Sequence, residues 1–198
     1  MAGLALVDLD GTILKGNSFP AWSLFLLRKT FFFGRGVFFQ VVCLLFKRKI
    51  LGTLSHVEFK AGLEALSVPD VLCEQFWESM RLLISAPVME KIQEYDEVVI
   101  YTAAPSVYAK HVKKIFQYDV GVVSSRFVEG VFYNNFGVNK LADKESRFGD
   151  REYTLFTDSV DDFPLARNAM KVFLCNPVES SRSAYQALFG ASLEIIEG

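Results

Sequence analysis

Three apolar segments of the chain each end in a polar side chain that suits phosphate or metal chemistry. Residues 4–7 run into Asp8, residues 97–101 into Thr102, and residues 153–157 into Asp158. Short apolar segments separated by helical stretches indicate buried strands of a mostly parallel sheet. Ligands of such sheets bind beyond the carboxyl ends of the strands. The pattern therefore predicts that Asp8, Thr102 and Asp158 meet at one edge of the sheet.

The same alternation predicts an α/β fold with a doubly wound, mostly parallel sheet. Further strands are expected at residues 120–123 and 171–174, with a hairpin over 127–136. Helices are expected at residues 87–95, 106–116, 140–147 and 161–169. Residues 16–85 have a helical pattern rich in Phe and Leu. They are expected to form an all-helical cap inserted into a catalytic core of residues 1–15 and 86–198.

The first polar motif is Asp8-Leu9-Asp10-Gly11-Thr12. In an extended chain Asp8 and Asp10 point to the same side, close enough to share a cation. Two adjacent carboxylates repel each other unless a metal ion or a proton lies between them. The alternative interpretation is an ordinary strand end that runs into an Asp-Gly turn.

The second motif contains Asp158, Asp161 and Asp162, with Asp162 one helical turn after Asp158. Three neighbouring carboxylates are costly without a cation. The alternative is a helix N-terminus with acids in its first turn, which the helix dipole stabilises. That alternative suits Asp161 but does not explain the combination with Asp8 and Asp10.

Two further side chains suit a bound phosphoryl group. The hydroxyl of Thr102, beside a helix N-terminus, suits a phosphoryl oxygen, although a Thr at a strand end also serves as a helix cap. Lys140 begins a helix after residues 136–139, and Lys144 competes for the same role. We favour Lys140 because it follows the loop directly.

Together these residues resemble the four motifs of the haloacid-dehalogenase-like (HAD) superfamily. The matching positions, in order, are Val7-Asp8-Leu9-Asp10-Gly11-Thr12, Thr102, Lys140, and Asp158 with Asp162. The helical stretch after the first motif resembles the cap of the phosphoserine-phosphatase branch. Residues 17–22, the apolar cap and residues 137–140 and 157–162 are similar to phosphatidylglycerophosphatase C-type members, which carry a longer apolar segment.

The resemblance implies a magnesium-dependent phosphatase. Asp8 would attack phosphorus to give an acyl phosphate, and Asp10 would act as general acid and then general base. Thr102 and Lys140 would bind the transferring oxygens. The implied Mg²⁺ ligands are Asp8, the Asp10 carbonyl and Asp158, with Asp162 supporting the ion. A phosphotransferase and a non-enzymatic module that binds membranes or partners are the rival functions.

The cap segment is basic and apolar. Between Arg28 and Lys60 the chain has seven basic residues and one acid, and no Asp or Glu occurs from Gly11 to Val57. A substrate ammonium group usually requires a carboxylate partner, so this composition disfavours phosphoserine and favours an anionic or uncharged leaving group. The implied substrate is a phosphorylated small molecule or a lipid phosphate, and no nucleic-acid partner is expected.

The apolar run at residues 37–46 is about half of the roughly 20 residues that span a bilayer. Two interpretations of the segment at residues 28–60 therefore remain. Its helices bury their apolar faces within a soluble cap, or they lie on an anionic membrane surface. The N-terminus lacks the basic region of a signal peptide, and the three scattered cysteines have no metal-ligand spacing, so a reducing, cytoplasmic location is expected.

Overall fold

A seven-stranded sheet forms the centre of the protein. The computed structural model describes residues 3–198, apart from the side chains of Phe32 and Phe33. The strands are β1 (Leu4–Val7), β2 (Glu97–Pro105), β3 (Gly121–Val128), β4 (Val131–Tyr133), β5 (Tyr153–Thr157), β6 (Lys171–Cys175) and β7 (Glu194–Ile196). Their spatial order is β4-β3-β2-β1-β5-β6-β7, and only the β3–β4 pair is antiparallel. The predicted α/β fold with a mostly parallel sheet is confirmed.

Strand β1 is central, with β2 on one side and β5 on the other. All four of its residues are buried, and they alternate between the two faces of the sheet. Ala5 and Val7 join the apolar cluster on the cap side, whereas Leu4 and Leu6 join the cluster on the opposite side. Burial on both faces explains why β1 is an uninterrupted apolar run. It also fixes the direction in which Asp8 leaves the sheet.

Helices cover both faces of the sheet. They are α1 (Ser18–Phe33), α2 (Arg35–Lys49), α3 (His56–Glu64), α4 (Asp70–Met80), α5 (Ala86–Ile92), α6 (Ser106–Ala109), α7 (Val138–Phe148), α8 (Phe163–Ala166) and α9 (Glu179–Phe189). The helices predicted at 106–116 and 161–169 are shorter than expected. In the first, α6 passes into a 3-10 helix at Lys110–Ile115; in the second, a 3-10 turn precedes α8, whose Pro164 lies in its first turn.

Two further differences concern strand lengths and the C-terminus. Strand β2 extends beyond the expected 97–101, with an irregular register between Tyr101 and Pro105. Helix α9 and edge strand β7 were not expected from the sequence. Ser-rich residues open α9, and β7 has three residues, so neither gives a strong periodic signal.

Helices α1–α4 form the helical cap, and its two connections run side by side. Lys15 N donates to Leu83 O at 2.8 Å, and Ser85 N donates to Ile13 O at 2.8 Å. The predicted division into residues 1–15, 16–85 and 86–198 remains a prediction. Among the described residues, no helix has both the length and the apolar character required to cross a membrane.

The cap is fastened to the segment that follows β2. Trp22 is fully buried and stacks on Tyr108, with ring centroids 5.0 Å apart. Trp77 Nε1 donates to the carbonyl of Tyr108 at 2.8 Å, and the Glu64 carboxylate accepts from Val107 N at 2.7 Å. Glu64 thus caps α6 from the neighbouring cap helix, which aligns the cap over the carboxyl edge of β1 and β2.

Candidate active site

A cavity of about 790 Å³ lies between the carboxyl edge of the sheet and the cap. All six residues that the sequence singles out line this cavity: Asp8, Asp10, Thr102, Lys140, Asp158 and Asp162. Residues far apart in the chain therefore converge at one place. The roles assigned to them remain predictions, but their positions permit one joint site.

A buried ammonium group lies at the centre of this site. Lys140 Nζ is 2.6 Å from Asp8 Oδ1 and 2.8 Å from Asp162 Oδ1, and the Lys140 side chain is only 4% exposed. Asp162 also accepts from Thr157 Oγ1 at 2.8 Å. The ion pairs join the end of β1 and the 3-10 turn that follows β5 to the first turn of α7.

Burial and charge act against each other on these groups. Burial raises the pKa of Asp8 well above its usual value, the Lys140 charge opposes this, and the charges of Asp162 and Asp158 add to it. Burial acts to lower the pKa of Lys140, but Asp162 and Asp8 raise it above its usual value. Lys140 therefore remains charged, and its charge favours the ionised form of the neighbouring Asp8 carboxyl group.

Asp10 has different partners from Asp8. Its Oδ1 accepts from the backbone N–H of Ser18 at 2.7 Å, and the Ser18 hydroxyl lies 3.1 Å from Tyr108 Oη. Burial raises the pKa of Asp10, and the hydrogen bonds from Ser18 oppose the rise. A carboxyl group with a raised pKa is suited to donate and accept protons near neutral pH.

Asp158 lies against the loop that follows β1. Gly11 has φ +83°, and a Cβ added there would lie 2.1 Å from Asp158 Oδ2. The glycine is therefore required both for the turn and for the close approach of the backbone to Asp158. Burial raises the pKa of Asp158 to about 6, and the charge of Asp162 contributes.

Thr102 lies in β2, next to the irregular register after Tyr101, and is buried. Its Oγ1 accepts from Ala104 N at 3.1 Å. The Thr102 carbonyl accepts from Asn135 Nδ2 at 3.1 Å, which holds the strand end in position. In the described part of the chain no acceptor takes the Thr102 hydroxyl proton, so this proton is free for an oxygen of a ligand.

Lys144, the competing lysine, is directed elsewhere. Its Nζ donates to Gly149 O at 2.7 Å and lies 4.8 Å from the ring centroid of Tyr153. One turn of α7 thus separates a lysine in the cavity from a lysine that closes the end of the helix. Sequence spacing alone does not distinguish the two, because both are buried on α7.

The position of Lys140 depends on how α7 is anchored. Asp143, one turn later, accepts from Arg126 Nη2 at 2.8 Å and from Arg147 Nε at 2.6 Å. It also accepts from Tyr101 Oη at 3.1 Å. Burial acts to raise the pKa of Asp143, but the hydrogen bonds from the two arginines lower it. Asp143 therefore remains charged and ties α7 to β2 and β3.

The site has oxygen donors that suit a divalent cation. Within residues 3–198 no three His, Cys, Asp or Glu side chains are grouped as ligands of one metal ion. Mg²⁺ requires fewer, because it keeps several waters and commonly takes only one or two protein carboxylates. Asp8 and Asp158 suit this role, since both are half-buried in the cavity with raised pKa values and the charge of Asp158 is one cause of the rise at Asp8.

Three residues of the site were not expected from the sequence. Ser18 holds Asp10 through its backbone, Thr157 bonds to Asp162, and Lys60 reaches the cavity from α3. The strand-end position of Thr157 is a signal that could have identified it. A backbone donor leaves no sequence signal, and Lys60 is one basic residue in a basic segment.

Comparison with known proteins assigns the family. The family described as haloacid dehalogenase-like hydrolase matches residues 5–167, which is most of the chain. The chain therefore belongs to the haloacid dehalogenase-like hydrolases, and the prediction of a HAD-type enzyme is confirmed. No curated protein matches the chain.

Solved structures with the same fold agree with this assignment. A protein with unknown function from Bordetella pertussis Tohama I is 20% identical, with a TM-score of 0.72 over 99% of each chain. A phosphoserine phosphatase in apo form is 15% identical, with a TM-score of 0.54 over 100% of this chain and 94% of that chain. A phospho-aspartyl intermediate analogue of phosphoserine phosphatase is 16% identical, with a TM-score of 0.51 over the same shares. The predicted resemblance to the capped phosphoserine-phosphatase branch is confirmed at the level of the fold.

The ion-pair cluster predicts a difference between two lysines of one helix. Lys140→Met leaves Asp8 and Asp162 buried without a counter-charge, so the free energy of unfolding at pH 7 should fall by about 3 kcal/mol. Lys144→Met loses one hydrogen bond to a carbonyl and should cost about 1 kcal/mol. Urea unfolding with a chelator present measures both, because no divalent cation can then replace the ammonium group.

The pH dependence of this difference follows from Asp8. Without Lys140 the folded-state pKa of Asp8 lies still further above its unfolded value, so lowering the pH protonates the group and relieves the destabilisation. The deficit of Lys140→Met should therefore shrink between pH 7 and pH 5. Equal losses for the two variants at pH 7 would contradict the buried ion pair.

Proposed function

We propose that this protein is a Mg²⁺-dependent phosphomonoester hydrolase that works through an aspartyl-phosphate on Asp8. One observation carries the proposal: the Asp8 carboxylate lies in the cavity at the end of the central strand and is paired with the buried ammonium group of Lys140. A carboxylate held there can attack a phosphorus atom, while Lys140 stabilises charge on the transferring oxygens.

In the first step an Asp8 oxygen forms a bond to phosphorus as the bond from phosphorus to the ester oxygen breaks. Asp10 donates its proton to that leaving oxygen, a role supported by its raised pKa and by the Ser18 hydrogen bond that orients it. The free hydroxyl proton of Thr102 and the ammonium group of Lys140 bind the phosphoryl oxygens.

In the second step a water molecule attacks phosphorus, and the bond from phosphorus to Asp8 breaks. Asp10, now a carboxylate, accepts the proton of that water, so the starting state returns when phosphate leaves. Asp8, the Asp10 carbonyl and Asp158 would hold Mg²⁺, with Asp162 supporting the site through its pairing with Lys140. When bound, the ion supplies Lewis-acid stabilisation of charge at the phosphate.

A relative of the same fold supports this chemistry. The phosphoserine phosphatase that was solved as a phospho-aspartyl intermediate analogue spans the length of this chain. Its name describes a phosphoryl group on an aspartate. Asp8, at the end of the central strand and within the family match, is the aspartate that we assign to this role.

The first test is the removal of the nucleophile. Asp8→Asn keeps the shape of the side chain but removes the attacking charge, so turnover of 4-nitrophenyl phosphate with Mg²⁺ should fall by at least about a thousandfold. Asp119→Asn, at a carboxylate that is 97% exposed, is the matched control and should retain full activity. Equal turnover by Asp8→Asn and the unsubstituted protein would refute the assignment.

The walls of the cavity favour an amphiphilic phosphate as substrate, such as phosphatidylglycerophosphate. Beyond the carboxylates the cavity is lined by apolar side chains of the cap: Phe19, Pro20, Leu24, Leu27, Leu45 and Val57. A phosphate group at Asp8 would leave the remainder of the substrate against these side chains. Burial of apolar groups there would favour a lipid phosphate over a sugar phosphate.

The outer face of α2 supports contact with a membrane. Phe39, Val42, Phe46 and Ile50 follow helical spacing, and their exposed fractions are 66%, 39%, 50% and 70%. The last turn of α2 is basic, and α1 and α2 contain no acidic residue. An apolar stripe bordered by lysines fits the surface of an anionic bilayer. We infer peripheral attachment to the cytoplasmic face of a membrane through cap residues 28–60.

Sedimentation with vesicles tests this attachment. Vesicles with anionic lipids should retain the protein at low salt, because each basic residue near the surface contributes about 1 kcal/mol. Replacement of Lys47, Arg48 and Lys49 by Glu should release it. The control replaces Lys110, Lys113 and Lys114 by Glu, which changes the charge equally on a different surface and should preserve binding. If the unsubstituted protein does not bind, a phosphatase of soluble substrates is the better assignment.

A further inference from the structure

The wall of the cavity that the cap supplies carries a cluster of basic side chains around one pair of aromatic rings. Phe19 and Phe59 are in edge contact, with ring centroids 5.6 Å apart. Lys60 Nζ lies 5.8 Å from the Phe19 centroid, and the His56 ring lies 5.4 Å from it. Arg48 Cζ lies 5.4 Å from the Phe59 centroid. Arg48, His56 and Lys60 all line the cavity.

The charge of this cluster is not neutralised locally. Lys60 is only 6% exposed, yet its Nζ donates to two uncharged acceptors, Ala103 O at 2.9 Å and Asn134 Oδ1 at 3.4 Å. Among the described residues neither Lys60 nor Arg48 forms an ion pair with a carboxylate, and the cap residues that line the cavity include no acid. A buried cation without an anionic partner is costly, and such a cost is usually offset by a ligand or a paired charge.

The pKa values of two side chains of this cluster are lowered, mainly by burial. Burial lowers the pKa of Lys60 to about 8; Asp10 and Asp8 oppose the fall, and Lys140 adds to it. Burial also lowers the pKa of His56, and the charges of Lys60 and Arg48 add to the effect. His56 is therefore neutral at pH 7 and can act as a hydrogen-bond donor beside two cations.

The phosphomonoester group does not require this cluster, because Lys140 and Thr102 already face Asp8 from the core. Resting on the proposed function, we propose that Arg48, His56 and Lys60 bind a second anionic group of the substrate. The enzyme would then select phosphomonoesters that carry a further phosphodiester or carboxylate group. Arg48 presents a planar guanidinium that suits both groups, and Lys60 presents a third N–H that its two protein acceptors leave free.

Two kinds of molecule carry both a phosphomonoester and a second anionic group. They differ in whether they would also contact the apolar wall of the cavity. A lipid phosphate with a phosphodiester would use Leu24, Leu27 and Leu45 as well as the basic cluster. A small soluble substrate with two anionic groups would use the basic cluster alone. The shared requirement is the second anion, and the contribution of an apolar tail can be measured independently of it.

The test uses four substrates with Mg²⁺ present. Glycerol 3-phosphate has neither a tail nor a second anion, and short-chain phosphatidic acid has only the tail. Glycerophosphoglycerol phosphate has only the second anion, and short-chain phosphatidylglycerophosphate has both. We expect the second anion to raise kcat/KM by at least about tenfold within each pair, as a charge-assisted hydrogen bond would. A further gain from the tail would identify a lipid source, and no gain would identify a soluble one.

Substitutions in one turn of α2 test whether the basic cluster causes the preference for substrates with a second anion. Arg48→Gln should reduce the preference for the second anion to within about threefold of none, and Arg48→Lys, which keeps the charge but loses the planar guanidinium, should restore only part of it. The matched control is Lys47→Gln, which removes the same charge from an exposed side chain outside the cavity and should keep the full preference. Thermal unfolding verifies that each variant is folded.

The outcomes separate this inference from the proposed function. If the unsubstituted protein shows no preference, or if Arg48→Gln retains it, the second-anion site is refuted while hydrolysis through Asp8 stands. If Asp8→Asn hydrolyses glycerol 3-phosphate as fast as the unsubstituted protein, the proposed function fails instead.

Discussion

The ion pairs of Lys140 with Asp8 and Asp162 are the interaction on which the rest of the site depends. They join the end of β1 and the 3-10 turn that follows β5 to α7, within a region where each charge alone would be costly. Asp143 anchors α7 to β2 and β3, so the position of Lys140 is set by the sheet itself. The packing of these three segments and the arrangement of the site therefore depend on each other, because the buried ammonium group and its carboxylates each offset the cost of burying the other.

Elements of the fold and residues of the site could be predicted from the sequence where neighbouring residues in the chain determine them. Strands β1 and β5 were predicted with their observed bounds, because both are buried on two faces and read as apolar runs that end in a polar residue. The convergence of Asp8 and Asp158 followed from parallel strands. Ser18 and Lys60 could not be predicted, since one acts through its backbone and the other through the docking of the cap. Helix α9 and strand β7 lack a strong periodic pattern, so their existence depends on packing at the sheet edge.

The core wall and the cap wall of the cavity differ in their charged side chains. Its core wall carries carboxylates around one ammonium group, and its cap wall carries Arg48, His56 and Lys60 without an acid. This division follows from the composition of the chain, because the segment before Val57 lacks Asp and Glu as far back as Gly11. The core wall suits phosphoryl transfer, whereas the cap wall suits recognition of what is attached to the phosphate. The same segment exposes an apolar stripe on α2, so chemistry, selection and membrane contact would be contributed by adjoining surfaces.

The central claim is that Asp8 carries the phosphoryl group, and chemical trapping tests it most directly. Borohydride reduces an acyl phosphate of aspartate to homoserine, which changes the mass of the modified peptide. The protein, quenched during turnover of a phosphomonoester with Mg²⁺ and treated with borohydride, should contain homoserine at position 8 by peptide mass spectrometry. Homoserine at another aspartate, or an unmodified Asp8 under conditions of measured turnover, would contradict the account.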